Sequence, residues 1–416
     1  MKYFRLNAYC HLVEGKVNGC IYNLINGNMI ILNKQNQDML RLCEKNIGLE
    51  NIPGIDYDLI NRLEEMNIGQ YYSAPVYIDK YEIGQFKPLE AVTSNNHEVN
   101  TVFIELNNAC NLNCVFCENG GNSLFRKTGC KRWGMNDMIL SFNDWKSIIS
   151  QASKLNCKHL IFIGGEPFLQ EELLKKICSY AVEIGIMKIS IYINGSLLTY
   201  ETIKFMKLYN IELIIQIFGF HDDTYKKITG MPNMGTTIYN NVKKLAAENI
   251  NYKLSYLVNK YNEEEIELTF KEYSQFTKYH QMETEFIYPI PENNYYSPKY
   301  LNLMYDKKSN LRKAGLNVKH FCNAKKQHNC YGNQIGITAD GDVLPCIMSR
   351  SFVLGNVKEE KLSDILCNKK YEYFKKLNKD AIDKCKSCAL KFGCFDCRAL
   401  EYSATGNVHG LEYCNI

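Results

Sequence analysis

The sequence predicts an α/β protein built on a parallel sheet with helices outside, and three observations carry that expectation. Between Val102 and about Lys260, short β-rich runs alternate with stretches whose apolar residues recur at helical spacing. Glycines and polar residues cluster just after several of those runs, at the strand ends where parallel barrels place their active sites. Cysteines gather at one such strand end and again in the C-terminal third.

The first hundred residues stand apart from this repetition. Tyr3 to Leu12, Lys16 to Leu24 and Met29 to Leu32 read as strands with turns at Glu14-Gly15 and Asn26-Gly27. Lys34 to Cys43 and Asp56 to Glu65 read as helices, and a further strand is expected near Gln70 to Ile78. A small antiparallel sheet with helices suggests a winged-helix-like unit. Winged helices often bind DNA, but the segment from Asp56 to Glu65 is acidic and repels phosphate. The net charge of +4 over 416 residues is too small and too dispersed to argue for nucleic acid.

The parallel sheet is expected from strands Val102 to Leu106, His159 to Ile163, Lys188 to Ile193, Glu212 to Phe218 and Lys253 to Val258. Phe142 to Lys154 and Leu173 to Ile184 are two of the intervening helices. The length exceeds one ordinary core, and the divisions expected are 1–95, 96–310 and a cysteine-rich 311–416. No apolar run approaches a membrane span, and Met1-Lys-Tyr-Phe-Arg5 lacks the apolar core of a signal peptide, so neither a membrane nor export is expected. A cytoplasmic address follows. Eighteen cysteines, mostly in ligand-spaced groups, then read as metal binding in a reducing, anaerobic or micro-aerobic cell.

Directly after the first parallel strand stands Asn107-Asn-Ala-Cys-Asn-Leu-Asn-Cys-Val-Phe-Cys-Glu118, a Cys-x3-Cys-x2-Cys triplet of Cys110, Cys114 and Cys117. A complete cubane cluster usually takes four cysteines, so three on one loop leave one iron open to a small molecule. Zinc loops, the competing reading along with plain buried thiols, come as Cys-x2-Cys pairs with a second pair nearby, and no fourth ligand follows here. Phe116 precedes the last cysteine, and Gly164-Gly165-Glu166-Pro167 ends the second parallel strand.

With that combination the chain resembles the radical S-adenosylmethionine (SAM) superfamily. The resemblance implies a partial (β/α)6 barrel in which SAM chelates the open iron of a [4Fe-4S] cluster. It places Phe116 near the adenine and Gly164 to Pro167 near the methionine amino group. Ile191-Tyr-Ile-Asn-Gly-Ser196 resembles the family's third-strand segment, bringing Asn194 and Ser196 toward the cofactor. The run from Gln216 to Gly230 resembles the fourth, with Gln216 approaching it. Each of these two runs also fits an ordinary βα turn. His221 and Asp222 are candidates for either substrate or structural contacts.

The C-terminal third carries Cys322, Cys330 and Cys346, with Cys346 closing Gly341-Asp-Val-Leu-Pro-Cys after a turn at Ala339 to Asp342. Cys385, Cys388, Cys394, Cys397 and Cys414 follow a helical spacer. This resembles the SPASM domain of radical SAM maturases. The resemblance assigns Cys322, Cys330, Cys346 and Cys397 to one auxiliary [4Fe-4S] cluster and Cys385, Cys388, Cys394 and Cys414 to a second, three clusters in all. Only Phe395 and Asp396 separate Cys394 from Cys397, where the family has three residues, so ligation by Cys397 is the open point. A zinc knuckle would account for Cys385 to Cys397 but would leave Cys322, Cys330, Cys346 and Cys414 unexplained. Of the seven remaining cysteines most are expected to be small buried hydrophobes. Cys130, between the cluster loop and the next helix, is a candidate hydrogen donor, and Lys131 and Arg132 are candidate substrate contacts.

The N-terminal unit is similar to the PqqD-like element that captures an extended leader peptide along a sheet edge. It also fits a cap without a ligand. Together the three segments resemble sactipeptide and ranthipeptide maturases, which implies hydrogen abstraction from a precursor peptide, a cysteine thioether cross-link, and a flavodoxin- or ferredoxin-type reductant. Carbon–carbon or ether cross-linking, peptide epimerisation, formylglycine formation on a sulfatase, and an iron–sulfur redox regulator are the other outcomes compatible with these motifs.

Overall fold

A computed structural model describes residues 2–82, 99–117, 140–291, 294–305, 316–394 and 396–414. Cys130, Lys131 and Arg132 lie outside the described residues. The chain divides into two compact units: one of Met1–Asn95, Lys307–Asn329 and Lys375–Asp396, the other of Asn96–Asp306, Cys330–Phe374 and Cys397–Ile416.

The first unit begins with β1 (Tyr3–Leu6), β2 (Cys10–Val13), β3 (Gly19–Asn23) and β4 (Met29–Leu32), then α1 (Lys34–Glu44), α2 (Tyr57–Glu65) and β5 (Gly69–Tyr72). The single strand expected over Tyr3 to Leu12 is two strands in two sheets, β1 with β5 and β2 with β3 and β4. A turn from the Asn7 carbonyl to the Cys10 N–H breaks it, and the Asn7 side chain donates to the Asn67 carbonyl at 2.8 Å. The strand expected over 70–78 stops at Tyr72, ahead of Pro75, which has no N–H for a ladder. The helices begin where capping chemistry puts them. Asn33 accepts from Asn36 N, and Asp56 accepts from Leu59 N.

Strand alternation gives the three-stranded sheet two buried faces. Cys10, Ile21 and Leu32 join Met39, Leu40 and Leu63 in one core. Val13, Cys20, Tyr22 and Leu24 join a second core with Leu316, Phe321, Ala389, Leu390 and Phe392. Sequence-distant segments therefore share a core with the N-terminal sheet inside this unit.

The second unit is built on nine strands in the order β11-β10-β9-β8-β7-β6-β12-β13-β14. They are β6 (Thr101–Asn107), β7 (His159–Gly164), β8 (Lys188–Ile193), β9 (Glu212–Ile217), β10 (Tyr252–Val258), β11 (Met282–Phe286), β12 (Gln334–Ile337), β13 (Asp342–Leu344) and β14 (Gly355–Asn356). From β6 to β11 each strand lies parallel beside its predecessor, the one-way winding that βα units produce, and the sheet stays open. Five of these six strands coincide with expectation within a residue at either end. The sixth, β11, was not separately expected, and β12 extends the sheet by pairing in parallel with β6.

The helices run α3 (Phe142–Lys154), α4 (Glu171–Glu183), α5 (Tyr200–Leu208), α6 (Asp222–Thr229), α7 (Met234–Ala247) and α8 (Ile266–Tyr273). α3 illustrates why they cover the sheet. Ser141 and Asp144 form a reciprocal capping box, and Trp145, Ile148, Ile149 and Ala152 recur at i, i+3, i+4 and i+7 and are buried. The parallel strands supply the opposing apolar layer, with Ile191, Ile215 and Leu254 fully buried. Truncating Ile215 to Ala should remove about 2–5 kcal/mol of stability. A chemical-denaturation midpoint equal to that of the parent would contradict this placement of the core.

Candidate active site

The cysteine loop follows β6 and is stitched to the end of β7. Gly165 N donates to the Asn107 carbonyl at 2.9 Å and Glu166 N to the Ala109 carbonyl at 2.7 Å, while Asn107 Nδ2 donates back to the Glu166 carbonyl at 3.1 Å. That approach is why glycine stands at 165: a Cβ there would run into the Ala109 carbonyl. From its other side the loop is held by Thr229 and Ile228 carbonyls, which accept from Asn113 N and Val115 N at 3.0 and 2.8 Å. Gly230 ends α6 in the left-handed region at φ 72°.

At the C-terminal ends of the strands lies a cavity of about 460 Å³, the size of ordinary small-molecule sites. Cys110, Cys114 and Cys117 all line it, with Phe116, Gly164, Gly165, Asn194 and Gln216. Phe116 is buried and packs edge-on against Phe218, ring centres 5.5 Å apart. Asn194 joins a small network: its Nδ2 donates to Asn111 Oδ1 at 2.9 Å, Asn111 Nδ2 donates to Ser196 Oγ at 2.8 Å, and Ser196 N donates to Asn194 Oδ1 at 2.9 Å. Gly195, at φ 77°, makes the turn that this network needs.

Glu166, Pro167 and Ser196 are not among the lining residues. The Glu166 carboxylate is fully buried and instead accepts backbone N–H groups of Asn194 at 2.8 Å and Phe168 at 3.1 Å, so it fixes one strand end against another. Burial pushes its pKa up to about 7, against the opposing pull of those two donors. Asp222 likewise serves the frame, accepting from Thr236 N and Oγ1 at 3.0 and 2.6 Å, and His221 is exposed at the start of α6.

Several residues that sequence reasoning missed complete the cavity. Glu285, on β11, is one of its lining residues; burial raises its pKa, the Ser255 hydroxyl lowers it, and the charge of Glu283 raises it further. Tyr192 lines the same space, its phenol pushed up to about 12 by burial and by the Glu285, Glu283 and Glu212 charges. Glu105 is a fully buried charge in an otherwise apolar strand, and it forms an ion pair with Arg350. That pair joins the strand carrying the triplet to the loop carrying Cys346. A lone acid inside Val102-Phe-Ile-Glu-Leu106 was the available signal for it.

Cys346 lines the same cavity as the triplet. Gln334 Nε2 donates toward its Sγ at 3.5 Å, and burial, followed by the nearby thiols of Cys397 and Cys330, raises its pKa. The Tyr331 phenol beside them is raised by burial, then by Cys346, Cys397 and Cys330 in turn, and bonds Ser349 Oγ at 2.8 Å. Cys330, Cys346 and Cys397 thus share one neighbourhood in the second unit, to which Cys414 also belongs. Cys322, Cys385, Cys388 and Cys394 belong to the first, where Cys388 N donates to the Cys385 carbonyl at 2.9 Å. Outside these sets Cys10, Cys20, Cys43, Cys157 and Cys178 are buried, and Cys367 is exposed.

The donor chemistry suits iron–sulfur clusters. Leu112 N donates to Cys110 Sγ at 3.4 Å and Asn194 Nδ2 approaches it at 3.8 Å, the kind of N–H···S contact that stabilises a charged thiolate. Among the described residues no three Cys, His, Asp or Glu side chains close on a single ion.

Residues 104–273 match the Radical SAM superfamily and residues 330–389 the SPASM iron-sulfur cluster-binding domain. Fold and matches together give the chain a radical SAM domain and a SPASM domain. Over 347 residues the chain is 25% identical to the AdoMet-dependent heme synthase of Methanosarcina barkeri, covering 74% of this chain and 94% of that protein. Its fold resembles Streptococcus suis SuiB bound to precursor peptide SuiA, at TM-score 0.56 and 16% identity over 99% of this chain and 100% of that one. It also resembles native anSMEcpe with bound AdoMet and Cp18Cys peptide, at TM-score 0.53 and 16% identity over 75% and 92%.

Two outcomes follow from this geometry. Gly165→Ala should push the cysteine loop off β7 and lower iron bound at the triplet, and full iron content in the variant would refute the stitch. Glu166 holds its proton more tightly folded than unfolded. Its contribution is therefore complete below pH 4.5 and is lost as pH rises to about 7. Urea midpoints measured on both sides of that window should change less in Glu166→Gln than in the parent, and an equal change would exclude Glu166 as the titrating group.

Proposed function

We propose that this enzyme is a maturase that removes a hydrogen atom from a ribosomally made precursor peptide and installs an intramolecular cross-link, a cysteine thioether. The observation that carries the reading is the single cavity lined by the Cys110/Cys114/Cys117 triplet on one side and by Cys346 on the other. Cys110, Cys114 and Cys117 would hold a [4Fe-4S] cluster, which when bound would supply one-electron reductive cleavage of SAM to methionine and a 5′-deoxyadenosyl radical. Cys322, Cys330, Cys346 and Cys397, and Cys385, Cys388, Cys394 and Cys414, would hold two auxiliary clusters, which would accept the electron released when the carbon radical joins the cysteine sulfur and the thiol proton leaves to solvent.

The chain's own residues position and shield. Gly164 and Gly165 leave room beside the triplet, Asn194 and Gln216 offer polar groups to SAM with Ser196 ordering Asn194, and Phe116 and Phe218 give an apolar wall. Glu285, the carboxyl on the far strand, accepts an N–H of the substrate peptide, and Tyr192 donates to it. Water exclusion by the apolar lining keeps a carbon radical from side reactions.

The N-terminal unit is the second support. Among the described residues its β4 pairs only with β3, which leaves an edge along which an extended leader can add, and Ile31 on that strand is 54% exposed. Tethering a leader there raises the local concentration of the core peptide at the cavity. SuiB, solved with a precursor peptide, matches 99% of this chain, the N-terminal residues included, whereas anSMEcpe, solved with a different peptide, matches 75%. A heme-forming reading draws on the Methanosarcina barkeri relative, which matches 74% of this chain. The location proposed is the cytoplasm, with a flavodoxin- or ferredoxin-type protein as reductant.

Co-expression with a candidate precursor, a short cysteine-rich peptide encoded in a neighbouring reading frame, should give a product two hydrogens lighter by intact mass, and no such loss from Cys110→Ala. An unchanged mass with deuterium taken up from deuterated water would make the enzyme an epimerase. A peptide left untouched while a tetrapyrrole is consumed would favour the heme reading.

A further inference from the structure

The first unit holds together two segments that the peptide reading treats separately. Gly15 and Lys16, between β2 and β3, reach the loop that carries Cys385 and Cys388: Lys16 N donates to the Ser387 carbonyl at 2.8 Å. One strand further, the buried Tyr22 hydroxyl donates to the Ala389 carbonyl at 2.8 Å. The cysteine loop thus gives two of its carbonyls, one residue either side of Cys388, to the N-terminal sheet.

Packing follows the same line. Tyr22 sits 5.2 Å from Phe321 and 6.3 Å from Phe392, and those two rings are 5.1 Å apart, so an aromatic trio ties β3 to the segments bearing Cys322 and Cys388. Cys20 belongs to this core, and Cys388 packs against it. There is no spare room at the junction. A Cβ on Gly15 would meet Ala389 N at 2.8 Å as well as the Asn18 carbonyl, and one on Gly393 would run into the Met29 sulfur. Behind Gly15 stands α1, whose buried Gln37 accepts from Gly15 N at 3.1 Å while Lys34 Nζ donates to the Gly15 carbonyl at 3.4 Å.

We propose that the three-stranded N-terminal sheet is one wall of the auxiliary iron–sulfur site around Cys385, Cys388 and Cys394, with Gly15 and Tyr22 as positioning residues for its ligand loop. A loop of thiols pays for cluster binding by becoming ordered, and a wall that fixes two of its carbonyls beforehand removes part of that cost. The sheet therefore serves iron loading as well as peptide capture. This rests on the reading of Cys385 and Cys388 as cluster ligands and is independent of the peptide.

The test uses the full chain, anaerobically reconstituted, with no peptide present. Iron and sulfide are counted, and the clusters are told apart by low-temperature paramagnetic resonance, since only the triplet cluster's signal changes when SAM is added. Gly15→Val should lose about four irons, one cubane, and a SAM-insensitive signal, with the SAM-sensitive signal at full strength. The control Ile25→Ser, at an exposed turn, should keep both. Tyr22→Phe is the milder probe: a chelator should strip its SAM-insensitive iron roughly fivefold faster than the parent's, the factor to which the ~1 kcal/mol of one hydrogen bond converts. Full iron with both signals in Gly15→Val, or equal stripping rates in Tyr22→Phe should Gly15→Val fail to fold, would overturn the proposal. Neither result depends on whether a peptide is ever modified.

Discussion

The mouth of the parallel sheet depends on one close approach, that of Gly164 and Gly165 to the carbonyls of Asn107 and Ala109. Two backbone hydrogen bonds and a returning side-chain bond from Asn107 fix it, and no side chain fits between the strands at Gly165. Because the cysteine loop springs from that stitch, backbone hydrogen bonds fix where the loop bearing the three thiols begins. Glu166 carries the constraint on to β8: its buried carboxylate takes the Asn194 N–H, and Asn194 then orders Asn111 and Ser196. One contact between two strand ends thus organises three of the loops around the cavity.

A charge hidden in the first parallel strand extends the same frame to the loop that carries Cys346. Glu105 and Arg350 are both withdrawn from water, and a buried pair of this kind is costly to break, since either partner left alone would be an uncompensated charge. Arg350 follows Cys346 by four residues, so the pair holds the Cys346 loop to the strand that launches the triplet. β12 does the same through the backbone by pairing with β6. The cavity is closed by residues far apart in sequence but locked to a single strand.

How much of this was legible depends on how locally each feature is encoded. The strands from Val102 to Val258 and helix α3 carry their own periodicity, and they stand where the pattern puts them. The triplet, Phe116, Asn194 and Gln216 belong to short motifs at strand ends, and the fold gathers them at one cavity. β11 escaped notice because Met282-Glu-Thr-Glu-Phe286 is an edge strand with exposed polar positions and no apolar run; Glu285 escaped with it. The break at Asn7 is a matter of tertiary contact with Asn67, which no window of sequence contains. The sharing of one core by Tyr22 and Phe392 is likewise invisible to spacing rules, because it joins residues separated by most of the chain.

Cys346 on the cavity wall has a consequence for the enzyme's own survival. A sulfur–hydrogen bond yields its hydrogen atom more readily than the carbon–hydrogen bonds around it, so a protonated thiol in that position would be the easiest target for any radical formed beside it. Burial raises the pKa of the Cys346 thiol, which favours the protonated form. Under the proposed chemistry, a chain loaded only at the triplet would spend its cofactor on self-inactivation. With Cys346 a cluster ligand, as proposed, assembly order would be a safeguard, the wall being metallated before the first turnover.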